Sequence, residues 1–159
     1  KPQEEEMVKK HIAIEILLGM IIGKSSKLYQ RLYEEDLLKQ EPDLDYEFSK
    51  EYAHVMITGK SNNPKKVQEA IEKQIEEFLQ NGLDENDFQR IKKKIYGDYV
   101  KEYNDVADIA RMFLADFFKG INSFDYLEKY AQVTREYTQQ VLKEVFQKEK
   151  EVISIVEGK

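Results

Sequence analysis

The chain of 159 residues contains no cysteine, no tryptophan, two histidines and three prolines. Without cysteine there is no disulfide framework, no thiolate zinc site and no cysteine nucleophile. With only His11 and His54, a catalytic zinc site, which needs three protein ligands, lacks its commonest donors. His11 and Glu15 lie one helical turn apart, but no second histidine is near them and no His-x-x-Glu-His occurs. Long apolar runs are also missing. The longest, Ile12 to Ile22, is interrupted by Glu15 and falls short of the ~20 residues a membrane span requires. The opening "KPQEEEMVKK" is too charged for a signal peptide. Positive charge is in deficit: the formal net charge is −6, which disfavours a nucleic acid partner. These absences together point to a cytoplasmic protein with neither membrane nor nucleic acid as partner.

What is present is enough apolar sequence for one domain, residues 1–159, under a heavily charged surface. A helix is expected from about Glu5 to Ile22, apolar nearly all round after Ile12 and therefore enclosed on most sides. Gly23 ends it. A second helix spans about Ser26 to Leu38, capped by Ser25 or Ser26, with Leu28 and Leu32 inward and Tyr29 and Tyr33 as further candidates for that face. "LDYEFS" and "YAHVMITG" alternate and form an antiparallel pair joined at Ser49–Glu51. Helices then follow, capped by Asn63 before Pro64, by Asp84, by Asp105 up to Gly120, by Ser123 and by Thr134. The β-branched "EVISIVEG" reads as a closing strand. The class is α+β, helices layered on a mostly antiparallel sheet. Three strands are few for so many helices, so the first strands of the domain are expected to precede Lys1, in a longer protein of which this chain is a fragment.

Two phosphate-loop fragments need weighing. In Gly23-Lys24-Ser25 the glycine expected five residues earlier is Leu18, Gly19 being one place too close, and a helix rather than a strand precedes it. In Gly59-Lys60-Ser61 that place holds His54. The reading for the first is a helix-stopping glycine, an exposed lysine and a helix-starting serine. "RIKKK" (Arg90–Lys94) reads as a solvated helix face, and Tyr96, Tyr99 and Tyr103 as the rim of a core.

The stretch "EILLGMIIGKSSKLYQRLYEEDLL" (15–38) resembles the C-terminal half-domains of the insulinase/pitrilysin family of zinc metallopeptidases, relatives of mitochondrial processing peptidase. The resemblance continues in order through "YEFSKEYAHVMITG", the "NGLDENDFQRIKKK" transition, "VADIARMFLADFFKG" and "VTREYTQQVLKEVF", and covers nearly the whole chain. It implies a metal-free half that closes over an extended peptide, while a zinc-bearing half carries His-x-x-Glu-His and adds the peptide as a strand to its sheet. Zinc is thus implied for the catalytic half and no cofactor for this chain. The resemblance also implies an Arg and a Tyr from this half near the scissile bond. Here Tyr33 stands in the Arg position and Gln40 in the Tyr position, so these two are the candidate substrate-binding residues, with no catalytic residue and no metal ligand in the chain. The implied function is the non-catalytic half of a metalloendopeptidase, inactive alone. The alternative is an inactive structural module of the same fold.

Overall fold

The computed structural model describes residues 2–49 and 51–157, with the element order α1 (Pro2–Ile22), α2 (Lys27–Glu34), β1 (Asp43–Phe48), β2 (Ala53–Thr58), α3 (Pro64–Asn81), α4 (Glu85–Glu102), α5 (Val106–Lys119), α6 (Asp125–Tyr130) and α7 (Arg135–Val145), then a 3-10 turn at Lys148–Lys150. Everything is built round α1. Ile12, Ile14, Ile16, Leu17, Ile21 and Ile22 are fully buried, and the helix packs against α2, α3, α4, α6, α7 and β1. A helix apolar on every side has no solvent face to offer, so its neighbours must surround it. No helix among the described residues is long and apolar enough to cross a membrane.

Two glycines allow the close approaches along α1. A Cβ on Gly19 would fall 2.8 Å from the Ile91 side chain of α4, and one on Gly23 would fall 2.7 Å from the Gly19 carbonyl oxygen. Gly23 N–H bonds to the Leu18 and Gly19 carbonyls at 3.1 and 3.2 Å, closing the helix, and Ser26 starts α2 by accepting the Tyr29 N–H at 3.1 Å. The Gly-Lys-Ser therefore joins two helices.

The hairpin has the alternation its sequence implies. Leu44, Tyr46 and Phe48 pair with Ile57, Val55 and Ala53, and this face turns toward α1. Its connection includes Lys50, which lies outside the described residues. Four helix caps form as read: the Asn63 side chain accepts Lys66 N–H, Asp84 accepts Asp87 N–H, Asp105 accepts Ala107 and Asp108 N–H, and Thr134 accepts Tyr137 N–H.

Four expectations change. Helix α2 stops at Glu34, not Leu38, because Asp36 takes a left-handed conformation (φ 57°) that breaks the ladder. Ser123 does not cap α6. It is buried and donates to Asp116 Oδ2 at 2.7 Å, and the cap position falls to Phe124 with no side-chain bond. The "RIKKK" run is only partly solvated. Lys92 is half-buried, donates to the Val133 carbonyl at 2.7 Å and lies 5.0 Å from the Tyr130 ring centre, and desolvation pulls its pKa below the ordinary lysine range. The last strand does not form: 151–157 is irregular, with Val152 and Val156 almost fully exposed, while Gly158 lies outside the described residues. A strand exists only by pairing, and the sheet of the described residues consists of β1 and β2 alone.

Candidate functional site

The reversal at Asp36 builds a concave surface beside α2. The N–H groups of Leu37 and Leu38 both reach the Leu32 carbonyl, at 2.8 and 3.1 Å. Leu38, buried, bridges to Ser61, and Asn62 donates to the Asp36 carbonyl at 2.9 Å, so the turn is held from two sides. The chain then returns along α2, and Glu41 Oε1 accepts the Lys24 N–H at 2.9 Å. Between the helix and the returning segment lies an open hollow of about 460 Å³ lined by Lys24, Tyr29, Tyr33, Lys39, Gln40 and Glu41. Both sequence candidates, Tyr33 and Gln40, are on its wall.

Local periodicity explains which tyrosine does what. Leu28 and Leu32 face α1 and are buried, Tyr29 is at the margin of that face, and Tyr33 is carried round to solvent with 57% of its surface exposed. The two rings are 6.2 Å apart and tilted by 34°. The hollow thus offers an aromatic face and a phenol from Tyr33, an amide that donates and accepts from Gln40, and two ammonium groups against one carboxylate. It contains no nucleophile with an adjacent base. These groups can bind and orient a chain but supply no proton-transfer pair for hydrolysis.

A second polar cluster sits between α1, α4 and α6. His11 Nδ1 and the Tyr126 hydroxyl are 2.6 Å apart, His11 Nε2 lies 3.3 Å from Glu15 Oε1, and Tyr99 donates its hydroxyl to Glu15 Oε2. Burial, together with the carboxylates of Glu15 beside Tyr99 and of Asp116 and Glu15 near Tyr126, pushes both phenols far above the ordinary tyrosine range, so both stay protonated donors. The Tyr46, Phe48 and Tyr126 rings surround His11 at 5.2 to 5.7 Å. As a zinc centre this does not fit. Glu15 is occupied at both oxygens and His11 at both nitrogens, and no group of three or more His, Asp or Glu side chains that could hold a metal exists among the described residues. The i,i+4 spacing of His11 and Glu15 was visible in the sequence. Their phenol partners, 84 and 115 residues away, were not.

Comparison with known proteins decides the family. Residues 3–95, more than half of the chain, match the family described as "Peptidase M16 inactive domain". The chain belongs to the M16 peptidase inactive-domain family. It is 26% identical over 142 residues to the uncharacterized zinc protease YmfH of Bacillus subtilis (strain 168), covering 88% of this chain and 32% of that protein. Its fold is similar to an M16-like peptidase from Alicyclobacillus acidocaldarius, with a TM-score of 0.83 at 23% identity over 88% of this chain and 34% of that one. A protease from Helicobacter pylori superposes with a TM-score of 0.68 at 18% identity, over 87% of this chain and 35% of that one. The chain therefore spans about a third of the length of these relatives.

Proposed function

We propose that this chain is the non-catalytic half of a zinc-dependent metalloendopeptidase, forming one wall of the chamber in which an extended peptide is held while a zinc-bearing half hydrolyses it. Membership in the M16 inactive-domain family supports the division of labour. The observation that carries the reading is the hollow that exposed Tyr33 and Gln40 both line although seven residues separate them in sequence. Tyr33 gives a peptide side chain a flat apolar surface and one hydrogen bond, and the Gln40 amide gives a backbone carbonyl or N–H its complement. A guanidinium at position 33 would add a fixed charged fork; a phenol does not. This half therefore positions the peptide and leaves transition-state charge to its partner.

The test pairs the chain with its zinc-bearing half and compares peptide hydrolysis for the parent, Tyr33→Phe, Tyr33→Ala and Tyr33→Arg. Loss of a binding wall raises KM for Tyr33→Ala while folding stability stays at the parent value, and Tyr33→Phe retains most of the effect. Unchanged kinetics for Tyr33→Ala would remove Tyr33 from the substrate surface. The presence of Tyr33 and Gln40 where the family resemblance implies an Arg and a Tyr favours a second reading, an inactive structural module of the same fold. That reading predicts no hydrolysis by the assembled pair.

A further inference from the structure

Helix α5 is apolar on two sides, and only one is covered. Its inward side holds Ile109, Met112, Phe113 and Asp116, and Asp116 accepts the Ser123 hydroxyl while Phe113 packs edge-on against Phe124 at 5.1 Å. Its outward side, with Ala107, Ala110, Leu114, Phe117 and Phe118 at helical spacing, faces solvent. Leu114 is 59%, Phe117 74% and Phe118 78% exposed, and Val106, 82% exposed, extends the patch at the start of the helix. A helix apolar on both sides belongs between two bodies.

We propose that this outward face of α5 is the seat of the zinc-bearing half, taken up by an apolar helix or sheet surface of that partner. The inference rests on the pairing proposed above but concerns a different surface from the Tyr33 hollow. At the ~150–250 Å² an aromatic side chain buries, the patch amounts to on the order of 600 Å², at or above the largest apolar patch of an ordinary monomer. Doubled for two sides, about 1,200 Å² lies well inside the range for domains within one protein and at the bottom of the range for separate proteins. That size favours another part of the same assembly over a second copy of this chain, and about two thirds of each relative's length is polypeptide outside the region this chain matches. The charges of α5 point the same way. Arg111 is paired with Asp108, and Lys119 lies over the Phe48 ring at 4.6 Å, so the stripe meets its partner without an unpaired charge to desolvate.

Because the chain lacks cysteine, a single thiol reports on the face directly. Leu114→Cys is labelled with a thiol reagent in the free chain and in the complex with the zinc-bearing half. Lys101→Cys on α4, 81% exposed at its side chain, is the control. We expect labelling at Cys-substituted position 114 to slow at least about ten-fold in the complex, as burial in a packed interface requires, with position 101 unchanged. A complex that forms yet leaves position 114 as reactive as in the free chain overturns this inference and leaves the pairing intact. Protection already present in the free chain and growing with its concentration assigns the face to a second copy and overturns it too. Absence of any complex sinks the pairing and this inference together.

Discussion

Truncating Leu32 to alanine probes the packing on which the hollow depends. Leu32 is 1% exposed on the inner side of α2, facing α1, and its carbonyl holds the N–H groups of Leu37 and Leu38. The pinned backbone keeps the site from collapsing into the space left behind, so the cost belongs well inside the ~2–5 kcal/mol range for core Leu→Ala changes, about 3 kcal/mol. For a domain of this size that lowers Tm by roughly 6–12 °C. Chemical denaturation followed by circular dichroism measures it, with Tyr33→Ala alongside as an exposed neighbour one residue on, expected to stay within about 0.5 kcal/mol of the parent. A Leu32→Ala loss below about 0.5 kcal/mol, or a Tyr33→Ala loss comparable to that of Leu32→Ala, would mean that α2 is rotated from the orientation described and that Tyr33 is a core residue.

Three further outcomes are expected. Lys24→Ala should match the parent in stability with and without millimolar ATP, because its loop connects two helices and its N–H is already bonded to Glu41; ATP stabilising the parent alone would refute this. The Asp116 carboxyl is raised above the usual range by burial, against which the Ser123 hydrogen bond works only in part, so the folded state binds its proton more tightly than the unfolded chain does. Its contribution is then greatest at acid pH and is lost as pH rises through the raised folded value. Asp116→Asn should accordingly gain stability relative to the parent as pH rises above the unfolded carboxylate value of about 4, and parallel pH–stability curves would contradict it. Finally, the purified chain dialysed against buffer should carry well under one zinc per molecule; near-stoichiometric metal removable only together with the fold would overturn the reading of the His11–Glu15 cluster.

The parts of this fold legible in sequence are those set by local chemistry. Asn63, Asp84, Asp105 and Thr134 cap helices because a side-chain oxygen two or three residues ahead of an orphan N–H acts without tertiary help. The hairpin register follows from alternation, since a one-residue slip would turn Tyr46 and Phe48 to solvent. Illegible were features that depend on distant partners. Ser123 has the identity of a cap but is claimed by Asp116, and Lys92 belongs to a charged run but finds a carbonyl 41 residues away. Residues 152–156 have strand composition, yet they pair with neither strand of the described residues. The early stop of α2 matters most for the site, because the turn at Asp36 puts Gln40 on the same hollow as Tyr33. Asp is one of the few residues that visits the left-handed region readily, but "YEEDLL" does not say which residue will do so. The two site candidates come from family resemblance, whereas Lys39 and Glu41 line one hollow with Tyr33 only through that reversal.

The most direct test of the central proposal is peptide hydrolysis measured for this chain alone, for the zinc-bearing half alone, and for the two together. We expect no turnover from this chain, little from the isolated zinc-bearing half, and a clear gain in kcat/KM when they are combined, reduced again by Tyr33→Ala. A zinc-bearing half that cleaves the peptide equally well with and without this chain, under conditions where the two form a complex, would contradict the assignment of this domain as a working wall of the substrate chamber.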